Sequence, residues 1–526
     1  MRDIFDKYFI MCYNMLVFQI QLILIKKGKI MKLNYKRTIL VGFAFFLISA
    51  FWQAYDAIVP LALTNHFGLD QLWSGVVMSL DNILAVFMLP LFGAISDKTM
   101  TKYGKRTPFI LIGTIVAVIA FISLTFIDNY QLKPVLESGI PEMYAAAKEA
   151  RTEAYELMKI ARRSGDAAGI ETAKIALENV EATFESIRVQ TFELTKSSIL
   201  PLVAFIGMLL LVLISMATFR SPAVALMPDV TVKPLRSKGN AIINLMGTAG
   251  GIIVLVLGMV FATSEIYMQY TWYVACVCIV MLIGLGIFIF TVKENLWARE
   301  MAEDTVKYGI EENNVDGGSV RQLSGPEMKS LLLILASVAL WYIGYNSITS
   351  KYSVYASNEL GFDYNLTLII AQAAAIVSYI PVGIISSKLG RRKTILAGVV
   401  MLATAFFIGN FITPNIPEIV MYPVFILAGI GWATINVNSF PMVVELAKGG
   451  EVGKYTGYYY TASMAAQIVA PILSGALYKA FGMRVMFFLF GTIFVAASFV
   501  TMFFVKHGDS KPETQGALES LAGADD

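Results

Sequence analysis

Twelve apolar runs follow Met31, each close to the roughly 20 residues that a helix needs to cross a hydrocarbon core of about 30 Å, and they leave the chain one solvent, lipid. They run approximately Thr38 to Leu63, Leu72 to Ser96, Pro108 to Ile127, Ile199 to Leu226, Asn240 to Thr263, Trp272 to Val292, Lys329 to Thr349, Leu366 to Ser386, Lys393 to Thr413, Ile419 to Val444, Tyr455 to Tyr478 and Val485 to Val505. Within a bilayer each backbone N–H and C=O must find its partner inside the structure, so runs of this length read as helices. Composition agrees, with 57% hydrophobic residues, 15% charged and a mean hydropathy of +0.66. The predicted class is an all-α membrane protein of twelve transmembrane helices in two six-helix pseudo-symmetric halves, residues 32–292 and 328–506.

Basic residues near span ends resist translocation, so their distribution orients the chain. With the amino end inside, the short cytoplasmic loops hold thirteen Lys or Arg, from Lys98 to Arg106, Lys233 to Lys238, Lys388 to Lys393, and Lys448 and Lys454. The short outer loops hold three, Lys351, Lys479 and Arg484. This imbalance places both termini in the cytoplasm of a cell-membrane protein, including the tail at 507–526. The segment 293–327 is acidic, carries Gly317-Gly318 and reads as a cytoplasmic linker. A net charge of +3 offers no basic footprint for nucleic acid. The three cysteines and two histidines show no metal-ligand spacing, so no metal site and no cofactor are indicated.

Residues 1–31 fit this plan poorly. Tyr8 to Ile25 is apolar but carries Asn14, Gln19 and Gln21. The run Lys27-Gly28-Lys29-Ile30-Met31 can be encoded by a ribosome-binding sequence just ahead of an ATG, so Met31 is the expected start and the first 31 residues a non-native or dispensable extension. A signal anchor or an extra helix are the alternatives.

Between the third and fourth spans lies a polar insertion, residues 128–198. Ile170, Ala173, Leu177, Val180, Phe184, Ile187, Thr191 and Leu194 recur at alternating spacings of three and four, and so do Ile140, Met143, Ala147, Ala150, Ala154, Leu157 and Ala161. Two heptad stripes separated by Ser164-Gly165-Asp166-Ala167-Ala168-Gly169 predict an antiparallel helical hairpin outside the membrane. One reading makes it a cap or docking arm over the outer entrance, with an unidentified partner; the other, an insertion stabilised by its own seam.

A carboxylate in mid-membrane is costly, and one that remains points to a bundle interior and to function. Asp56 lies in the first span, Asp81 in the second and Arg220 near the inner part of the fourth. At about 1.5 Å per residue Asp81 sits roughly 14 Å below the outer edge, with Asp56 at nearly the same depth, so the two can share one aqueous cavity and Arg220 can reach them. Such a group can exchange a proton as its surroundings change, or it can pair permanently to fix packing. Sugar recognition asks for aromatic faces with amides and carboxylates in one cavity. The candidates are Trp52, Gln53, Tyr55 and Asn82, then Trp341, Tyr345 and Asn346 in the seventh span, Gln372 in the eighth, and Trp432, Asn436 and Asn438 in the tenth. For the amides, interhelical hydrogen bonding is the competing role. Trp272 and Trp297, near span ends, read as interface anchors.

The loop Gly93-Ala-Ile-Ser-Asp97-Lys-Thr-Met-Thr-Lys-Tyr-Gly104-Lys-Arg106 returns 290 positions later as Gly383-Ile-Ile-Ser-Ser-Lys-Leu-Gly-Arg391-Arg-Lys, which implies duplicated halves. Arg220 precedes Asp229 by nine residues, as Asn436 precedes Glu445. Asp97, Asp229 and Glu445, beside Arg106, Lys238 and Lys454, are expected to make the cytoplasmic salt bridges that hold an outward-open state and break as the halves rock.

These loops resemble those of the major facilitator superfamily. The segment from Gly93 to Ile110 and the stretch Phe219-Arg-Ser-Pro-Ala-Val-Ala-Leu-Met-Pro-Asp229 are similar to the glycoside-pentoside-hexuronide/cation symporters, in the branch with the sucrose/proton symporters. That resemblance implies a twelve-helix fold and import of a glycoside with protons, with Arg220 and Asp229 matching the arginine and aspartate of the fourth helix. Leu89-Pro90 stands where the melibiose-type branch carries Asp-Pro, so a sodium site of that kind is not implied. A drug or solute/proton antiporter, and a non-transporting sugar receptor using the hairpin, are the other readings; no nucleophile constellation suggests an enzyme.

Overall fold

A computed structural model describes residues 33–232, 235–307, 323–444, 446 and 452–507. The expectations for residues 1–31, Lys233, Glu445, Lys448, most of the linker's second half and the tail beyond His507 lie outside the described residues. Eleven described helices are long and apolar enough to cross a bilayer. They are α1 (Tyr35–Leu61), α2 (Gln71–Lys98), α3 (Thr107–Glu137), α6 (Leu200–Val230), α7 (Arg236–Val260), α8 (Thr271–Thr291), α10 (Gly325–Thr349), α12 (Arg391–Gly409), α13 (Met421–Val444), α14 (Val452–Phe481) and α15 (Met483–Phe503). The remaining expected span is α11 (Tyr364–Leu389), whose apolar stretch is Tyr364–Tyr379. Each falls on its predicted run.

The helices pack in two groups. α1 lies against α7 and α8, and α3 against α6 and α8; in the second group α10 packs on α14 and α15, and α13 on α11 and α12. The groups meet through α2 with α14 and α7 with α11. The α2–α14 crossing depends on two glycines. A Cβ at Gly75 would overlap the carbonyl oxygen of Pro471, and one at Gly475 the carbonyl oxygen of Gln71.

The insertion holds two helices that pack on each other, α4 (Ile140–Ser164) and α5 (Ala167–Ser197), joined at Gly165 with φ +71°. Helix α3 runs on to Glu137, so at 31 residues it is about 46 Å long, more than a hydrocarbon core of about 30 Å requires. The α5 seam is as expected, with Ala173, Val180, Ile187 and Thr191 buried. The α4 seam needs correction. Its buried positions are Ile140, Tyr144, Ala147, Arg151, Ala154, Met158 and Ala161, while Leu157 is 54% exposed and Met143 38%. The stripe is turned because α4 packs on more than its hairpin partner: Arg151 lies 4.4 Å over the ring of Phe184 and reaches the second group.

The linker needs correction too, because its first part is α9 (Glu294–Lys307), a helix seated on the basic-loop end of the first group. Trp297 is buried under the guanidinium of Arg37, which also bonds Glu300. A tryptophan read as an interface anchor is therefore a packing residue.

At the hairpin end, α1 gives way to a π-helical turn, Ala62–His66, and a second, Tyr355–Leu360, follows α10 after a short helical turn at Tyr352–Val354. The sequences there are related: Thr64-Asn-His-Phe-Gly-Leu-Asp70 and Ser357-Asn-Glu-Leu-Gly-Phe-Asp363. Gly68 and Gly361 take positive φ of +65° and +70°, and Asp70 and Asp363 cap α2 and α11 by accepting from the backbone of Trp73 and Asn365. This second internal repeat escaped the hydropathy reading.

Candidate functional site

Midway along the bundle the two groups face each other across a polar interior. Helix α1 presents Trp52, Gln53 and Asp56; Asp56 keeps accessible surface although it lies deep within its span. Asp81 and Asn82 of α2 are half-buried, with the Asn82 amide donating to the Asp81 carboxylate at 2.8 Å. Asp56 and Asp81 lie within one another's field, and Arg220 of α6 within that of Asp81. No ion pair joins Arg220 to either acid among the described residues. Its guanidinium instead lies 5.7 Å over the indole of Trp52. The Nε1 of Trp52 is buried with no hydrogen-bond partner among the described residues.

The second group completes the interior. The Gln372 amide of α11 donates to Gln53 at 2.8 Å, a direct bond between the groups. Tyr345 of α10 and Trp432 of α13 stack face to face, centroids 3.6 Å apart and planes within 3°. Both are half-buried, presenting aromatic surface. Trp52, Gln53, Asp56, Asp81, Asn82, Arg220, Tyr345, Gln372 and Trp432 are thus placed on partly accessible positions of neighbouring helices.

Other expected ligand contacts are packed instead. Tyr55, Trp341 and Asn438 are fully buried, and Asn436 is 5% exposed. Asn438 accepts from Ser386 and donates to the Thr434 carbonyl at 2.9 Å, tying α13 to α11. Asn346 spends its amide on the Tyr342 carbonyl one turn back. For Asn438 and Asn346 the bonds described are interhelical and intrahelical.

At the basic-loop end Arg106 is buried and bonds Asp97, Ser96 and Asp229, the last at 2.8 Å, with Lys105 adding 3.1 Å to Asp229. All these residues belong to the first group. In this arrangement the pairs join α2, α6 and the start of α3 within one group. Glu294 was not foreseen. Its carboxylate accepts from the backbone of Lys105, Arg106 and Thr107 and from the Thr107 hydroxyl, capping α3. A Cβ at Gly104, where φ is +122°, would strike that carboxylate. Gly93 lies close to Ser221 of α6. In the second group Gly383 and Arg391 are buried, flanking Gly390 with φ +92°.

The hairpin end carries most of the bonds between groups. Asn65 and Asn358, equivalent in the repeat, exchange amide hydrogen bonds at 3.2 and 2.7 Å. Lys351 is fully buried and donates to the Gln71 carbonyl at 2.5 Å and its side chain at 2.8 Å. Burial lowers its pKa to about 7. Lys479 pairs with Asp70 at 2.7 Å, and Ser353 donates to the Asp56 carbonyl at 3.2 Å. These contacts hold the two groups together at the hairpin end.

Known proteins share this architecture. The family model described as Major Facilitator Superfamily matches residues 194–440 and 364–523, and one described as MFS/sugar transport protein matches residues 40–131. Among curated proteins, the MFS antiporter QDR3 of Candida albicans is 30% identical over 141 residues, covering 27% of this chain and 19% of that protein. The MFS-type transporter ppzB of Metarhizium rileyi is 28% identical over 125 residues, covering 24% and 25%. The chain spans a quarter or less of the length of these relatives. Among solved structures, the inward open xylose transporter XylE from E. coli superposes with a TM-score of 0.57 at 14% identity, covering 92% of this chain and 98% of that one. A D-xylose-proton symporter gives 0.54 at 14%, covering 90% and 98%. Likeness at that identity speaks to the fold, and it agrees with the packing above. The superfamily matches together run from residue 194 to 523, and the chain belongs to the major facilitator superfamily, a family of multi-pass membrane transporters.

Proposed function

We propose that this transporter imports a glycoside or oligosaccharide together with protons, by alternating access across the cell membrane. The observation that carries the reading is the mid-span cluster, where two acids and an arginine lie with Trp52 and with Gln53, whose bond to Gln372 joins the two groups. A sugar ring needs a flat apolar face and paired donors and acceptors, which Tyr345, Trp432, Trp52, Gln53 and Gln372 offer. Asp81 and Asp56 can exchange charge for protons, and Arg220 is the cation whose company they gain or lose as the halves rock. The basic loops orient the hairpin to the outside and both termini to the cytoplasm. With that orientation the end joined by the Asn65–Asn358, Lys351–Gln71 and Lys479–Asp70 contacts is the outer one.

The match to a sugar-transport family model over residues 40–131 supports a sugar, and the similarity to a yeast MFS antiporter favours one second reading, a solute/proton antiporter. Uptake of labelled disaccharides into energised vesicles, with and without a protonophore, separates them. Accumulation abolished by the protonophore supports symport. Accumulation unchanged after collapse of pH gradient and potential overturns it, and efflux driven by an inward proton gradient supports the antiporter.

A further inference from the structure

The hairpin touches both copies of the repeat that forms the closed end. On the first copy, the His66 ring bonds Asp128, at the root of the insertion, at 2.8 Å, both buried, and stacks on Tyr270. Gln131 donates to the His66 carbonyl and Thr195 to the Phe67 carbonyl. Arg188 of α5 donates to the Gly68 carbonyl at 2.9 Å. On the second copy, Arg151 of α4 is 3% exposed, pairs with Glu359 at 3.3 Å and donates to the Asn358 carbonyl, while Tyr144 donates to the same carbonyl at 3.3 Å. Lys148 lies against Gly361. Tyr144, Lys148 and Arg151 follow at four and three residues, so they form one face of α4 aimed at the second group.

The position where the repeats differ in charge is His66 against Glu359, and the insertion holds both: Asp128 takes the histidine and Arg151 the glutamate. The attachments are unequal in kind. Those to His66, Phe67 and Gly68 lie within the group that carries the hairpin, so they persist when the groups part. Those of Arg151 and Tyr144 cross to the other group and must break when the hairpin end opens.

We infer that the hairpin is a clamp that locks the hairpin end of the transporter shut, with Arg151 as the bolt seated on Glu359 and the Asn358 carbonyl. It rests on the alternating-access reading, in which that end must open. Losing a buried charge-assisted contact of this type changes a closed-to-open ratio by about tenfold or more.

The test reads opening without substrate, so it stands apart from any error about the cargo. Ser353, 3% exposed and bonded across to Asp56, is replaced by cysteine in a chain with its three native cysteines changed to serine, and labelled from outside with a membrane-impermeant maleimide. Arg151→Glu is expected to speed labelling about tenfold, and the exchange Arg151→Glu with Glu359→Arg to bring it back towards the starting rate. Unchanged labelling in Arg151→Glu overturns the clamp. A rise that the double exchange leaves in place also overturns it, because the hairpin has then come apart rather than unbolted. Glu171→Lys, on the exposed face of α5, is expected to label at the starting rate; a tenfold rise there would likewise count against Arg151 as the bolt. Failure of disaccharide uptake with clamp-dependent labelling intact would bear on the cargo alone.

Discussion

The Gln372 side chain donates to Gln53 at 2.8 Å across the middle of the bundle, so the two halves share a hydrogen bond in the interior proposed above to take the substrate. Both amides are half-buried, and each has capacity left for a ligand hydroxyl. Gln372→Leu leaves Gln53 with an apolar neighbour and no second amide. The KM for the transported sugar is expected to rise about tenfold with expression unchanged, read from initial uptake rates; an unaltered KM removes this pair from the binding site.

Asp81 and Asp56 differ in setting, and their substitutions are expected to separate. Asp81 is half-buried, bonded by Asn82 and in the field of Arg220, whereas Asp56 keeps more accessible surface and has no such bond to a neighbouring amide among the described residues. Asp81→Asn removes the exchangeable proton while keeping the shape, so it is expected to abolish uphill accumulation yet preserve substrate exchange at equal concentrations. Full concentrative uptake by that variant would place coupling elsewhere.

Lys351 supplies a pH dependence at the closed end. It lies two residues beyond its span, and burial lowers its pKa from 10.5 to about 7 although Asp70 pulls the other way. When the end opens, water reaches the amine and its pKa returns towards the ordinary value. Below about pH 7 the group is charged in both forms and the closed form bears the full cost of burying it. As pH rises through about 7 towards 10.5 the closed form sheds the proton before the open form does, so closure gains stability. Labelling of the Ser353→Cys reporter, normalised to a permanently exposed cysteine, is expected to slow between about pH 7 and 9. Lys351→Met is expected to flatten that slope, and a slope that survives the substitution rules the lysine out.

Lipid made the spans legible, because few sequences other than long apolar runs satisfy a bilayer. The heptads made the hairpin legible for a related reason, a period that only packed helices need. Rotation about the helix axis was not legible. A helix apolar on all sides carries no moment to say which face turns inward, which is why Tyr55, Trp341 and Asn438 were expected at the site and lie in packing. The α4 seam was misread because apolar positions were favoured, whereas Arg151 buries its stem and guanidinium on Phe184. The repeat at Thr64–Asp70 and Ser357–Asp363 was present in the sequence, but it is short, polar and set at span ends, where hydropathy is silent. Glu294 had no signal at all, since its partners are backbone amides 187 to 189 residues away.

Those partners make Glu294 a stability determinant. It is 2% exposed and accepts from three backbone amides and one hydroxyl at the start of α3. Glu294→Ala leaves these donors without an acceptor and is expected to destabilise the detergent-solubilised protein by about 3 kcal/mol. Glu300→Ala, at a pair with both side chains more than a third exposed, is expected to cost under about 1 kcal/mol. Thermal unfolding followed by thiol accessibility of Cys278, which is buried, compares the two; equal shifts would deny Glu294 its capping role.

The α2–α14 crossing at the hairpin end offers a steric way to hold the molecule open. At Gly75 and Gly475 an added Cβ meets backbone carbonyls of Pro471 and Gln71, which cannot turn aside as a side chain would. Neither glycine has a positive φ, so alanine suits the helix itself and by propensity even favours it. The penalty therefore falls on the closed crossing alone. Gly75→Ala and Gly475→Ala are each expected to raise outside labelling of the Ser353→Cys reporter and to slow net uptake, and the double substitution to do so further. Because the clash sits in the crossing and not in the hairpin, the rise should remain when the Arg151–Glu359 charges are exchanged, and labelling at the starting rate in both single variants would mean that the helices slide past one another without this contact.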